Sequence, residues 1–458
     1  MPHLGRTRQC TPKSPIRNPS RLRFNVTVQH LDSLIVRLCQ CFERSPDKRQ
    51  GINTTYAIAD IAMAAFSVFF MPSPSFLAYQ RHLQEGHGRS NCETLFGLSK
   101  IPSDNHIRAM LDPAEPALLH PVFDAVLTEL ERSGGLAAFR RPSKHVLIAL
   151  DGSEYFCSNE ISCAHCSTRL RGKDKGKTEY FHALLGATLV APGHNHVVPL
   201  KPEFIKPQDG AEKQDCETRA AQRWLATHGR KYTSLDPIYL GDDLYSRQPM
   251  CEAVLAAGGH FIFVCKPDSH PLIREFIGGI KLPTRTAPVK RGGKRFTHRY
   301  RWLSGIPLRD GKDALTVNWF EIEIRNAAGD ITYRNSFITD LPVRRANVEE
   351  LAACGRARWK IENEAFNTLK TGGYHLEHSY GHGRRNLAAL LVALNLLAFA
   401  FHTLCDLAEE LWRLARSKVS SRTQFFSRLM AITSFVIFPS WGDLVRTLAF
   451  LKPPPQPP

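Results

Sequence analysis

The chain reads as a mixed α/β protein, and three features carry that expectation. Two short aliphatic runs, Val146-Leu147-Ile148-Ala149-Leu150 and Pro237-Ile238-Tyr239-Leu240-Gly241, have the length and composition of interior strands, and an acid follows each: Asp151 before Gly152, and Asp242 after Gly241. Helical periodicity flanks them on both sides. Between the second run and the next helical stretch, several segments alternate apolar and polar residues with a period of two, as half-buried strands do. At 458 residues the chain exceeds one ordinary core, so several domains are expected.

Taken in order, residues 1–23 are basic and proline-bearing without an apolar stretch, which predicts a disordered arm and no signal peptide. Residues 24–142 predict a helical domain. Asp32 to Phe42, Tyr56 to Phe70 and Val122 to Phe139 carry apolar residues at three- and four-residue spacing, interrupted by Pro72, Pro74, Pro102 and Pro113. The apolar stretch Ala57 to Phe70 is too short to span a bilayer, and nothing between Asn91 and Leu111 patterns as a recognition helix.

A catalytic domain is expected over 143–404. Besides the two aliphatic runs it holds strand candidates at Glu179 to Val190, Val197 to Pro199 and Phe261 to Cys265, with a helix at Pro249 to Ala257. The strand-like segments His298 to Leu303, Ala314 to Arg325 and Ile331 to Ile338 predict an inserted β subdomain at about 285–342. Leu387 to Leu404 is apolar over nearly the length of a membrane span. Asn395 and His402 interrupt it and no second span exists, so it reads as a buried helix and no membrane partner is expected. Residues 405–458 read as helical to Ala449, followed by the stiff tail Pro453 to Pro458.

Composition points to an anionic partner. Sixty Lys and Arg against forty-three Asp and Glu leave a formal charge of +17, which attracts phosphate non-specifically and makes affinity fall with salt. The cations cluster at Arg6 to Arg23, Arg169 to Lys177, Lys290 to Arg301 and Arg384 to Arg385, so several basic strips are expected on the surface. Twelve scattered cysteines suit a reducing, cytoplasmic compartment.

The chemistry resides in three acidic positions. Asp151 and Asp242 follow strands, where open α/β sheets bind ligands, and the helix Arg358-Trp359-Lys360-Ile361-Glu362 adds a third carboxylate. Carboxylates are hard oxygen ligands, so three of them suit Mg²⁺ or Mn²⁺ acting on phosphodiesters. With an i, i+4 period Arg358 shares a face with Glu362, while Trp359, Ile361, Ala365, Phe366 and Leu369 supply the buried side. Two choices stay open: Glu362 or Glu364 as the third ligand, and Asp242 or Asp243 as the second. Arg358 can grip a phosphate bidentately and Lys370 can hold one as a point charge. The polar, aromatic and basic stretch Gly372 to Arg385 reads as a loop near the site, with Arg384 and Arg385 facing DNA.

These motifs resemble the DDE transposases of bacterial insertion sequences, in the cut-and-paste group with a β-rich insertion. Arg358-Trp359-Lys360-Ile361-Glu362, the following Phe366 and Lys370, and the Asp-x-x-Tyr of Asp242 to Tyr245 carry the likeness, over roughly Val146 to Gly383. Two departures stand out: Gly355 occupies a position where the family often has Tyr, and Glu362 to Lys370 is one residue longer than usual. The resemblance implies a ribonuclease H-like core, with Asp151, Asp242 and Glu362 as catalytic metal ligands for Mg²⁺ or Mn²⁺. It implies an N-terminal domain that recognises DNA ends, Arg358 and Lys370 as DNA contacts, and a homodimer bridging two terminal inverted repeats before attack on target DNA. A nuclease without strand transfer, or a silent DNA-binding derivative, are the alternatives. In the same family the insertion can offer an aromatic to a flipped base, for which Trp302 and Trp319 are the candidates here.

One further motif stands apart. Cys163 and Cys166 form half of a zinc site, which His182, His194 or His196 would have to complete.

Overall fold

The structure, a computed structural model, describes residues 28–45, 47, 49, 55–84, 87–141, 144–171, 176–207 and 215–451. The basic arm expected at 1–23, the tail from Pro453 and residues 172–175 of one basic cluster lie outside the described residues. Helices open and close the described part of the chain. The first are α1 (Gln29–Phe42), α2 (Ile58–Phe70), α3 (Phe76–Gln84), α4 (Gly88–Phe96), α5 (Asp104–Leu111) and α6 (His120–Arg132). Local chemistry sets several of their ends: the Ser103 hydroxyl accepts from the His106 amide at the start of α5, and Gly97, at φ 73°, terminates α4.

Strands fill the middle. They run β1 (Arg140–Arg141), β2 (His145–Ser158), β3 (Ser167–Arg171), β4 (Lys177–Val190), β5 (Val198–Pro199) and β6 (Glu203–Ile205). Then come α7 (Glu217–His228), β7 (Pro237–Gly241), α8 (Gln248–Ala256), β8 (His260–Val264) and α9 (Pro271–Gly278). An antiparallel meander follows: β9 (Thr284–Arg291), β10 (Lys294–Pro307), β11 (Thr316–Arg325) and β12 (Ile331–Thr339). The spatial order is β3-β4-β2-β7-β8-β12-β11-β10-β9, in one mixed sheet. Its centre is parallel, β2 to β7 to β8, and both flanks are antiparallel.

The fold is therefore mixed α/β, as expected, with two differences of detail. The strand carrying Asp151 does not stop at Gly152. It continues to Ser158, because β4 pairs with it antiparallel along nearly its whole length after the parallel partner β7 has ended. The strands expected as an insertion are present, but they extend the same sheet from β8 through β12.

After the sheet come α10 (Val348–Arg356), a π-helical segment over Ile361–Phe366, α11 (Asn367–Thr371), α12 (Leu387–Ala408), α13 (Glu410–Ser417), α14 (Arg422–Phe435) and α15 (Trp441–Phe450). Helix α12 is long and apolar enough to cross a membrane, yet nearly all of it is buried within the protein. Helices α1, α2 and α6 pack on it, so the N-terminal helices share one hydrophobic core with the C-terminal half. Polar ties reinforce this: the His30 amide donates to the Glu409 carboxylate at 2.7 Å, and the Tyr380 hydroxyl donates to the Ser73 carbonyl at 2.7 Å. The two polar residues that interrupt α12 have work to do there. Asn395 donates to the Tyr374 carbonyl and the His402 imidazole meets the Tyr374 hydroxyl, each at 2.8 Å, which secures the chain just past α11.

Gly355, where the resembling family often carries Tyr, lies where α10 crosses the sheet. A Cβ there would stand 2.8 Å from the Phe337 ring and 3.0 Å from Ile262. In an open helix Gly→Ala gains about 0.5–1 kcal/mol; overpacking a tight core costs about 1–3 kcal/mol, and here the clash outweighs the gain. Gly355→Ala is expected to lower the urea midpoint of unfolding, and an unchanged or raised midpoint would refute this packing argument.

Candidate active site

The site begins with strand register. In the parallel pair, Ala149 lies opposite Leu240, so two residues further along each strand Asp151 and Asp242 stand side by side where β7 ends. That is the C-terminal edge of the parallel strands, where open α/β sheets bind ligands. Across the antiparallel pair, Asp151 faces Gly186 of β4. A Cβ on Gly186 would meet the Phe366 ring at 2.7 Å, so its absence lets the π-helical segment lie directly on the sheet beside Asp151.

That segment carries Glu362. The expected helix from Arg358 to Lys370 is present from Trp359 onward, set off from α10 by turn residues at 357–358, and it contains a π-helical turn at 361–366, an irregularity common at functional sites. Ile361, Ala365, Phe366 and Leu369 are buried as expected, whereas Trp359 is 45% exposed and does not join the buried side. Glu362 lines the cavity; Glu364 faces away, where its charge acts on His196.

Asp151, Asp242, Glu362, Arg358, Lys370 and Glu377 line one open cavity of about 760 Å³. The Arg358 guanidinium lies 3.6 Å from Asp151 and 3.8 Å from Glu362, between two acids and within tight hydrogen-bonding range of neither. Lys370 pairs with Glu377 at 2.9 Å. Asp243 is turned elsewhere: one of its oxygens accepts from the Lys266 amide and the Ser269 hydroxyl, both at 2.7 Å, and so braces the turn after β8.

Arg384 and Arg385 do not line the cavity. They are exposed on the linker before α12, and the Asp112 carboxylate holds this stretch by accepting from the amides of Arg384, Arg385 and Leu387. Trp319 is buried in the sheet at 2% exposure, which removes its face from any base, and Trp302 is partly buried.

Sequence reasoning missed a fourth carboxylate. Glu217, in the first turn of α7, accepts from the Tyr245 hydroxyl at 2.7 Å and from the Gly152 amide. A Cβ on Gly152 would stand 2.3 Å from its carboxylate oxygen. The Tyr of Asp-x-x-Tyr therefore holds an acid that no local motif marks. The one available signal was the glycine after Asp151, which often means close approach of another group.

Crowding these acids has an electrostatic consequence. Burial pushes the Asp151 carboxyl up from its ordinary 3.8 to about 7; Arg358 pulls it down, while Glu217, Asp242 and Glu362 push it further up. Burial likewise raises Glu217, and its Tyr245 hydrogen bond opposes the shift. The donor chemistry suits a hard divalent cation, since the three acids line one cavity and positive charge is what the cluster lacks, but their oxygens do not all lie within 4.8 Å of one another, so holding one ion requires the side chains to draw together.

No protein-family model matches the chain, and no curated protein matches it.

A carboxyl raised on folding favours the folded state while protonated. That contribution is complete below about pH 4 and is lost as pH rises through about 7. In chelator, Asp151→Asn is expected to melt higher than the wild type at about pH 8 but near it at about pH 4. Parallel melting curves for the two proteins across that range would rule out the electrostatic account.

Proposed function

We propose that the chain is a DNA transposase of the DDE type with a ribonuclease H-like core. The observation that carries this reading is the convergence of Asp151, Asp242 and Glu362, far apart in sequence, with Arg358 and Lys370 in one open cavity at the parallel strand edge. The reaction is hydrolysis of a phosphodiester at a transposon end, in which water adds to phosphorus, the P–O3′ bond breaks and a free 3′-hydroxyl remains. That hydroxyl then attacks a phosphodiester of target DNA, forming one P–O bond as another breaks.

Asp151, Asp242 and Glu362 would hold Mg²⁺ or Mn²⁺, which supplies the Lewis acidity that activates the attacking oxygen and steadies the leaving one. Arg358 and Lys370 orient the phosphates on the cavity wall. Glu217, tied to Tyr245 and Gly152, adds negative charge beside Asp151, which raises the Asp151 carboxyl and likewise attracts a cation. Beyond the cavity, the hairpin of β9 and β10 presents exposed Lys290, Arg291, Lys294 and Arg295 for DNA backbone contact, and Arg384 and Arg385 are exposed near the opposite, β3 edge of the sheet. The protein would work as a homodimer on paired ends in the cytoplasm.

The test is cleavage and strand transfer on labelled DNA carrying the inverted repeats that flank the gene, with Mg²⁺ or with EDTA. Metal-dependent joining is expected in the wild type and in Glu364→Gln, and none in Asp151→Ala, Asp242→Ala or Glu362→Ala. Arg358→Ala, which misplaces the phosphate, is expected to lose about a hundredfold in rate. Cleavage without joining would indicate a nuclease, and specific binding without cleavage a silent DNA-binding protein; either result overturns the transposase reading.

A further inference from the structure

Four soft donors meet beside the cavity wall. Cys163 and Cys166 occupy the turn between β2 and β3, His182 lies on β4, and His382 comes from the linker between α11 and α12. The sulfur atoms are 3.8 Å apart. The Nε2 atom of His182 is 3.6 Å from the Cys163 sulfur and 3.4 Å from that of Cys166, while the Nε2 atom of His382 is 3.4 Å from the Cys166 sulfur. The two Nε2 atoms are 3.0 Å apart.

These lengths discriminate between alternatives. A disulfide needs sulfurs about 2.05 Å apart, so the cysteines are not bonded to each other. Around a tetrahedral zinc, bonds of about 2.3 Å to sulfur and 2.0–2.1 Å to nitrogen place sulfurs about 3.8 Å apart, sulfur and nitrogen about 3.6 Å, and nitrogens about 3.3 Å. The observed set follows that pattern. A hydrogen-bonded web explains single pairs, but not the convergence of all four donor atoms within 4.8 Å of one another.

The surroundings are also those of a metal site. The Cys166 amide donates to the Cys163 carbonyl at 3.1 Å, and the amides of Cys163 and His165 donate to Cys166 and Cys163 sulfur at 3.4 Å. The Nδ1 atom of His382 meets the Gly383 carbonyl at 2.9 Å, an outer partner that aims Nε2 at the thiols. His182 is buried and stacked parallel to Tyr155.

We propose that Cys163, Cys166, His182 and His382 bind a structural zinc ion. Binding releases one proton from each thiol, so two thiolates and two neutral imidazoles balance the ion and no net charge is left in a partly buried place. The set is closed, with four protein ligands, which makes it a structural centre and not a second catalytic one. Its work is to pin the linker before α12 to the sheet. That linker carries Glu377, the partner of Lys370, and Phe156, which lines the cavity, lies against both histidines at ring separations of 5.6 and 4.5 Å. The zinc site stands whether or not the proposed transposition chemistry does.

The test measures metal, not activity. The full-length protein, purified without chelator from zinc-supplemented cells, is expected to carry one zinc per chain by elemental analysis. Cobalt(II) replacing it is expected to give the intense visible bands of tetrahedral thiolate coordination. Asp151→Asn is expected to keep its zinc. His382→Asn, which removes a ligand from the linker while leaving the sheet strands untouched, is expected to hold zinc at least about 10- to 100-fold more weakly, the loss typical even of an outer partner. Its linker at 372–386 is expected to become sensitive to limited proteolysis. Cys166→Ser repeats the zinc measurement, with circular dichroism to verify folding. A folded wild type without zinc, cobalt spectra lacking thiolate bands, or equal zinc affinity in wild type and His382→Asn by competition with a chelator would each overturn the proposal.

Discussion

Carboxylate crowding is the constraint on which the rest of this structure depends. Parallel pairing of β2 with β7 puts Asp151 next to Asp242, and the helical elements packed on that sheet add Glu217 and Glu362. Like charges so gathered oppose folding unless each is answered. Arg358 sits between two of them, the Tyr245 hydroxyl and the Gly152 amide satisfy a third, and the Asp242 carboxylate takes the Leu244 amide at 2.8 Å. These answers are partial, since Asp151 stays displaced toward protonation, and the remaining imbalance is what a bound cation would relieve.

Close approach makes the crowding geometrically possible, and glycine makes the approach possible. At three places a single Cβ would intervene: Gly152 against Glu217, Gly186 against Phe366, and Gly355 against Phe337. The first admits the fourth carboxylate, the second seats the segment bearing Glu362, and the third seats α10, which leads into it. At Gly355 a large side chain has no room between α10 and β12.

The helices hold this arrangement from outside. Helix α12 is the shared surface for the N-terminal helices and the sheet, and its two polar residues secure Tyr374 just past α11. Asp112, from the N-terminal half, caps the start of α12 by accepting from two amides of the preceding linker and from that of Leu387, the helix's first residue. The segment joining the cavity to α12 is thus held at both ends, and His382, one of the four proposed zinc ligands, lies within the same stretch. Stability of the site and docking of the N-terminal helices are consequently one problem.

Much was legible in the chain itself, for a physical reason: short-range periodicity and side-chain chemistry are local properties. The aliphatic runs at 146–150 and 237–241 announced interior strands, the apolar run from Leu387 announced a buried helix, and the spacing of Arg358 and Glu362 survives in the ion pair they make. What only the tertiary structure decided are the long-range choices. Strand register put Asp242 on the cavity wall while Asp243 braces a turn, Glu362 lines the same cavity while Glu364 does not, and Trp359 is left exposed. Folding, too, brought His382 to Cys163 and Cys166 while leaving His194 against the Ala138 carbonyl. No sequence spacing encodes such meetings, because residues hundreds of positions apart become neighbours only once sheet order and helix packing are set.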